Sequence, residues 1–109
     1  MSSEKSFLEY VKNQLSSIED IKFTKMFGEY AVYYKDKVVA MICDNQFLVK
    51  ITEAGKKYIG NYKTGLPYPG AKECFLIDEK LEDSDFCEEL IRITYPEIPM
   101  PKKKKKKKD

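Results

Sequence analysis

Between Ile21 and Ile51 four short runs of strand-forming residues succeed one another with only brief turn-forming segments between them, a spacing that commits this stretch to a β-meander. Ile21-Lys22-Phe23-Thr24-Lys25-Met26 alternates apolar and polar side chains with period two, which predicts a strand with one buried face ending near Phe27. Gly28 follows, where freedom to adopt positive φ lets the chain reverse or bulge before the next strand begins at Tyr30. Tyr30–Tyr34 and Val38–Ile42 flank the turn Lys35-Asp36-Lys37, and Asp44-Asn45-Gln46 separates the latter run from Phe47–Ile51, so two further hairpins are expected.

The flanks read as helices. Phe7, Leu8, Val11, Leu15 and Ile18 form the apolar stripe of an amphipathic helix from about Ser3 to Ser17, with Ser2 or Ser3 as cap and Glu4 placed to complement the helix dipole. Thr52 caps a short helix that runs through Ile59 and stops at Gly60-Asn61. Leu66-Pro67-Tyr68-Pro69-Gly70 lacks the amide donors of a central strand, so it is a surface loop leading into strand five, Glu73–Ile77. A last helix, offered caps by Asp83, Ser84 and Asp85, carries Phe86, Leu90, Ile91 and Tyr95 near helical period and is ended by Pro96. The expected fold is therefore α+β and two-layered: an antiparallel sheet of about five strands with about three helices, in the order α-β-β-β-β-α-β-α. Residues 1–95 make the domain, and 96–109 make a disordered tail rich in proline and lysine. Strand three is apolar on both sides, with Val38, Ala40 and Ile42 on one and Val39, Met41 and Cys43 on the other. Either a second subunit covers one side, making a homodimer, or the helices and the Pro-rich loop wrap it.

A chain of 109 residues, 42% apolar or aromatic, supports one core. No run of eighteen apolar residues exists, and Met1-Ser2-Ser3-Glu4-Lys5 lacks a basic start and apolar h-region, so a cytoplasmic location is expected. Cys43, Cys74 and Cys87 have no metal-like spacing and there is no histidine to activate them, so they read as reduced, buried thiols; no metal and no cofactor are expected. General acid-base chemistry would fall to carboxylates, Lys, Tyr or Cys, and no pair stands at a spacing that compels it; Asp44 and Glu53, either side of strand four, are explained by turn formation and the helix dipole. Phosphate-cradling glycine loops are missing too, since Gly65 to Gly70 contains prolines. The chain is read as a non-enzyme. Its tyrosines and phenylalanines are assigned to the core in preference to base-stacking platforms.

Thr24-Lys25-Met26-Phe27-Gly28-Glu29-Tyr30, with the helix start Thr52-Glu53-Ala54-Gly55, the loop Pro67-Tyr68-Pro69-Gly70-Ala71-Lys72 and the helix entry Leu81-Glu82-Asp83, resembles the N-terminal domain of the TfoX family of bacterial competence regulators. The likeness spans roughly residues 7 to 95. It implies a small α/β unit with an antiparallel sheet and an association with activation of competence genes, alongside the cyclic-AMP receptor protein and without a DNA-reading motif. It also marks Lys25, Gly28 and Tyr30 as a partner surface. The second, helical domain of full-length regulators has no counterpart in this sequence, which ends in prolines and lysines.

Charge separates the chain into two parts. Residues 1–101 carry 13 basic and 17 acidic side chains, a balance of −4, while Lys102, Lys103, Lys104, Lys105, Lys106, Lys107 and Lys108 with Asp109 sum to +6. The leading functional reading is a non-enzymatic protein-interaction domain in transcriptional regulation, with a protein partner in the transcription machinery. Two readings stay open beside it. One is a nonspecific nucleic-acid-binding accessory using its polylysine tail, with a log-log salt slope of roughly −5 to −6 on duplex DNA. The other is a small ligand-binding protein or enzyme with a cleft near Tyr68 and Cys74.

Overall fold

The computed structural model describes residues 4–26 and 29–99. Among these, the chain forms helices α1 (Lys5–Gln14), α2 (Glu53–Ile59) and α3 (Ser84–Thr94) and strands β1 (Ile21–Met26), β2 (Glu29–Tyr34), β3 (Lys37–Cys43), β4 (Gln46–Lys50), β5 (Lys63–Gly65) and β6 (Cys74–Ile77). Single 3-10 turns at Glu79–Glu82 and Tyr95–Glu97 bracket α3. The strands make one antiparallel sheet in the order β1-β2-β3-β4-β6-β5. The fold is the expected α+β one.

The meander follows from turn chemistry. β3 and β4 are joined by Asp44-Asn45 alone, whose φ values of 52° and 57° are the left-handed pair of a two-residue hairpin turn that asparagine and aspartate tolerate best. Lys35 takes φ 60° in the β2–β3 turn. Thr52 caps α2 by accepting from the Gly55 amide (2.9 Å), and Asp83 caps α3 by accepting from the Phe86 amide (3.1 Å), both as expected. At α1 the cap position falls on Glu4, whose side chain makes no capping bond; Ser2 and Ser3 lie outside the described residues. The Glu4 amide instead donates to Asn45 Oδ1 (2.7 Å), pinning the helix start to the β3–β4 turn.

One sheet face carries the helices. Leu8 and Val11 of α1, Leu15 at its C-cap, and Phe86, Cys87, Leu90 and Ile91 of α3 pack on Val32, Val39, Ala40, Ile42, Phe47, Val49, Phe75 and Ile77. Burying each of the larger of these side chains contributes about 1.5–3 kcal/mol. Polar threads cross the same layer: Gln14 Nε2 donates to the Leu81 carbonyl (2.7 Å), and Ser17 Oγ donates to the Glu88 carboxylate.

Three details fill in or depart from the expected outline. The sheet gains a sixth strand, β5, which pairs with β6 over Lys63↔Leu76, Thr64↔Phe75 and Gly65↔Cys74; three residues are too few to show a period, and only pairing with β6 defines them. The sides of β3 are not strictly alternate, because a bulge shifts the β2–β3 register between Val32↔Ala40 and Tyr33↔Val38. The extra residue, Val39, thereby joins Ala40 and Ile42 in the helix-side core. Finally, the chain from Pro96 is not an extended tail from its first residue: Tyr95–Glu97 is a 3-10 turn and Ile98 is buried in the main core, so the folded body reaches Ile98.

The opposite face of the sheet is apolar as well. Register sets Met41, Leu48 and Leu76 abreast on β3, β4 and β6, and Cys43, Leu48 and Cys74 form a second, smaller buried cluster there. Pro67, Tyr68 and Pro69 line a cavity with Met26, Met41 and Cys43, which places the Pro-rich loop over this face. Of the two covers expected for strand three, the loop is the one present within a single chain.

Candidate functional site

The cavity under that loop is the candidate site. Its volume is about 620 Å³, within the range of small-ligand pockets. Its floor is the outer side of the meander: the Met26↔Glu29 pair, where β1 ends and β2 begins, then Met41 and Cys43 on β3. Asp44 of the hairpin turn closes one side, and its amide donates to Glu29 Oε2 (3.1 Å), so the turn and the start of β2 hold each other. The roof is Pro67-Tyr68-Pro69. Tyr68–Ala71 is a type II turn, with Pro69 at its second position, Gly70 at φ 87° in its third, and the Ala71 amide donating to the Tyr68 carbonyl (3.1 Å). Proline and glycine here supply the two dihedrals that this turn type demands, which holds Tyr68 at a fixed place over the sheet.

Burial holds the thiols of the chain in their protonated form. Burial above all, then Glu29, Cys74 and Asp44, push the Cys43 thiol from an ordinary 9.0 up to about 11. Burial also raises Cys74, against the opposing charge of Lys50, and burial followed by Asp83 and Glu88 takes Cys87 up to about 12. At neutral pH all three are thiols, the unreactive form. Among the described residues no group of three or more His, Cys, Asp or Glu could hold a metal ion, and no helix is long and apolar enough to cross a membrane. What the walls can do is bind: thioethers, prolines and tyrosine rings offer adaptable apolar contact, and two carboxylates supply negative charge.

The sequence-predicted residues fall unevenly about this site. Tyr30 is half-buried, packs against the main core and also contributes to the cavity wall. Lys25 pairs with Tyr30 across β1–β2 and is exposed, away from the cavity lining. Gly28 and the tail from Lys102 to Lys108 lie outside the described residues. Tyr68 of the expected cleft does line the cavity, whereas Cys74 sits in the adjoining buried cluster. Met26, Glu29, Met41 and Asp44 were missed as site residues. The signal that could have found them was the apolar outer side of strand three together with a two-proline loop that had nothing else to cover.

The aromatic residues divide likewise. Phe47 and Phe75 are fully buried, as expected for core. Tyr58 stacks on Phe86 with centroids 5.0 Å apart and Tyr62 meets Phe75 edge-on at 4.9 Å, yet both stay exposed on their outer side. Leu66 and Tyr68 are the most exposed large hydrophobics among the described residues, at 51% and 57%.

Comparison with known proteins places this architecture. A relative from Spirochaeta aurantia, bearing the name "Uncharacterized 12.7 kDa protein in trpE 5'region", is 37% identical over 107 residues, covering 98% of this chain and 93% of the relative. Residues 13–98, which run from within α1 to Ile98, match the TfoX N-terminal domain, and the chain belongs to that family.

Proposed function

We propose that this chain is a non-catalytic docking domain of cytoplasmic transcriptional regulation, with the regulation of competence genes as the role its family suggests, and that it engages a protein partner through the tip of the Pro-rich loop. The observation that carries this reading is the pairing of Leu66 and Tyr68, exposed at 51% and 57%, on a segment stiffened by Pro67 and Pro69. Exposed apolar side chains on a rigid loop lose little conformational entropy on binding, so their burial by a partner is not offset by ordering. The acidic balance of residues 1–101 speaks against nucleic-acid contact by the folded body.

The test is affinity capture from the native cytoplasm with the full chain and with the Leu66→Ser, Tyr68→Ser double variant, each with and without nuclease. Proteins retained by the parent chain after nuclease and lost from the folded double variant are the expected result. Identical retention by both would refute docking through the loop tip, and material released by nuclease would favour the lysine tail instead.

A further inference from the structure

The Pro-rich loop roofs the outer face of the sheet without filling the space beneath it. Met26, Tyr30 and Met41 line the cavity and remain only half-buried, although Pro67, Tyr68 and Pro69 stand over them. Cys43 belongs to the same floor, is 4% exposed, and its thiol makes no hydrogen bond among the described residues. The other two thiols do: Cys74 donates to the Lys72 carbonyl (3.9 Å), and Cys87 to the carbonyls of Lys80 (3.7 Å) and Leu81 (3.8 Å). Burial keeps the Cys43 thiol protonated, so the floor of the cavity holds a weak donor without an acceptor.

We infer that this cavity binds a small neutral aromatic molecule carrying one hydrogen-bond-accepting oxygen. The wall selects the body of the ligand. Tyrosine rings favour edge-on or offset stacking with another ring, and the thioethers of Met26 and Met41 make favourable contacts with aromatic edges. Pro67 and Pro69 hold Tyr68 in place, so little ordering is needed when a ligand enters. The two carboxylates do not call for a charged ligand: Glu29 Oε2 already accepts from the Asp44 amide (3.1 Å), and Asp44 is exposed to water. A charged group would give up its hydration for a wall of thioether, proline and ring carbon. The ligand's oxygen answers the Cys43 thiol. A volume of about 620 Å³ admits compounds of this size and not a folded partner element.

The sequence supplies a direct probe. The chain has four methionines, Met1, Met26, Met41 and Met100, of which the middle two line the cavity. Full-length protein with isotope-labelled methionine methyl groups is titrated with acetophenone, and in parallel with toluene, benzylamine and benzoate, which keep the ring and offer no oxygen, a cation or an anion. Acetophenone should shift the Met26 and Met41 methyl signals with a Kd of about 1 mM, as befits so few atoms, and leave Met1 and Met100 in place. Toluene should bind about threefold more weakly, and each charged probe at least about tenfold more weakly. Cys43→Ala should erase the difference between acetophenone and toluene, and Cys43→Ser, which keeps a donor, should retain it. The methyl spectrum of each variant reports whether it is folded. Leu66→Ser, outside the lining, should leave the titration unchanged, so the docking reading and this one fail separately. The assignment is overturned by no methyl shift at about 10 mM acetophenone, by preference for either charged probe, or by shifts that reach Met1 and Met100 equally. An acetophenone preference that survives Cys43→Ala in the folded variant would overturn it too.

Discussion

Gly55 shows how one hydrogen in place of a methyl group reverses an ordinary preference. Inside a helix, alanine is favoured over glycine by about 0.8–1.0 kcal/mol. A Cβ at position 55, however, would stand 2.7 Å from Phe75 Cε2 and 3.0 Å from Thr52 Oγ1, where Phe75 is fully buried and Thr52 is engaged as the α2 cap. Neither neighbour can yield freely, and overpacking of this kind costs about 1–3 kcal/mol. Gly55→Ala should therefore destabilise the protein by roughly 1–2 kcal/mol in urea denaturation, with the sign opposite to helix propensity. Lys37 makes a related point. Read as a turn residue, it is buried in the fold, with its ammonium donating to the Tyr95 carbonyl (3.1 Å) and resting 4.2 Å from the Tyr95 ring centroid. Nothing in the residues around Lys37 announces a partner 58 positions away; only closure of the chain brings it there.

Among the elements, α2 depends most visibly on a distant segment. Seven residues are too few to hold a helix in water on their own. Thr52 satisfies the Gly55 amide, and the Glu97 carboxylate accepts from the Glu53 amide (2.9 Å) and the Ala54 amide (3.0 Å), so a residue beyond α3 completes the cap and places negative charge at the positive end of the dipole. Glu97→Ala should cost about 1 kcal/mol in thermal or urea unfolding, and Glu97→Gln, which keeps an acceptor but loses the charge, should cost less. The same contact explains why Pro96 does not begin a free tail: the 3-10 turn it enters directs Glu97 to α2 and Ile98 into the core. The β3 bulge acts at this scale too. It converts a strand whose two sides looked equally apolar into one that assigns Val39, Ala40 and Ile42 to the helices and Met41 and Cys43 to the loop.

For the molecule as a whole, the two buried clusters share an alkaline liability. Cys87 belongs to the helix-side core and Cys43 to the loop-side cluster, with thiols raised from 9.0 to about 12 and about 11. A folded-state value above the unfolded one means the native state holds its proton longer; stability from this source is complete below about pH 9 and is lost as pH climbs toward 11 to 12. Tyr58, raised by burial, and Tyr95, raised first by its hydroxyl donating to Asp36 (2.8 Å), act in the same direction. The urea midpoint should accordingly be flat between pH 6 and 8 and decline above 9, and Cys43→Ala should reduce that decline. A midpoint that rises through this window would contradict the burial of the thiols.

Much of this protein is local information. Period-two alternation from Ile21 onward, the Asp44-Asn45 turn, the Thr52 and Asp83 caps and the Tyr68-Pro69-Gly70-Ala71 turn are each specified by neighbours a few residues apart, and so the meander, the flanking helices and the family could be read directly from the chain. β5, the Val39 bulge, the buried Lys37, the Glu97 cap and the cavity could not. Each is defined by a pairing or a contact between segments far apart in the sequence, and Glu29 and Asp44 come to share a cavity with Tyr68 only when the returning loop closes over the sheet.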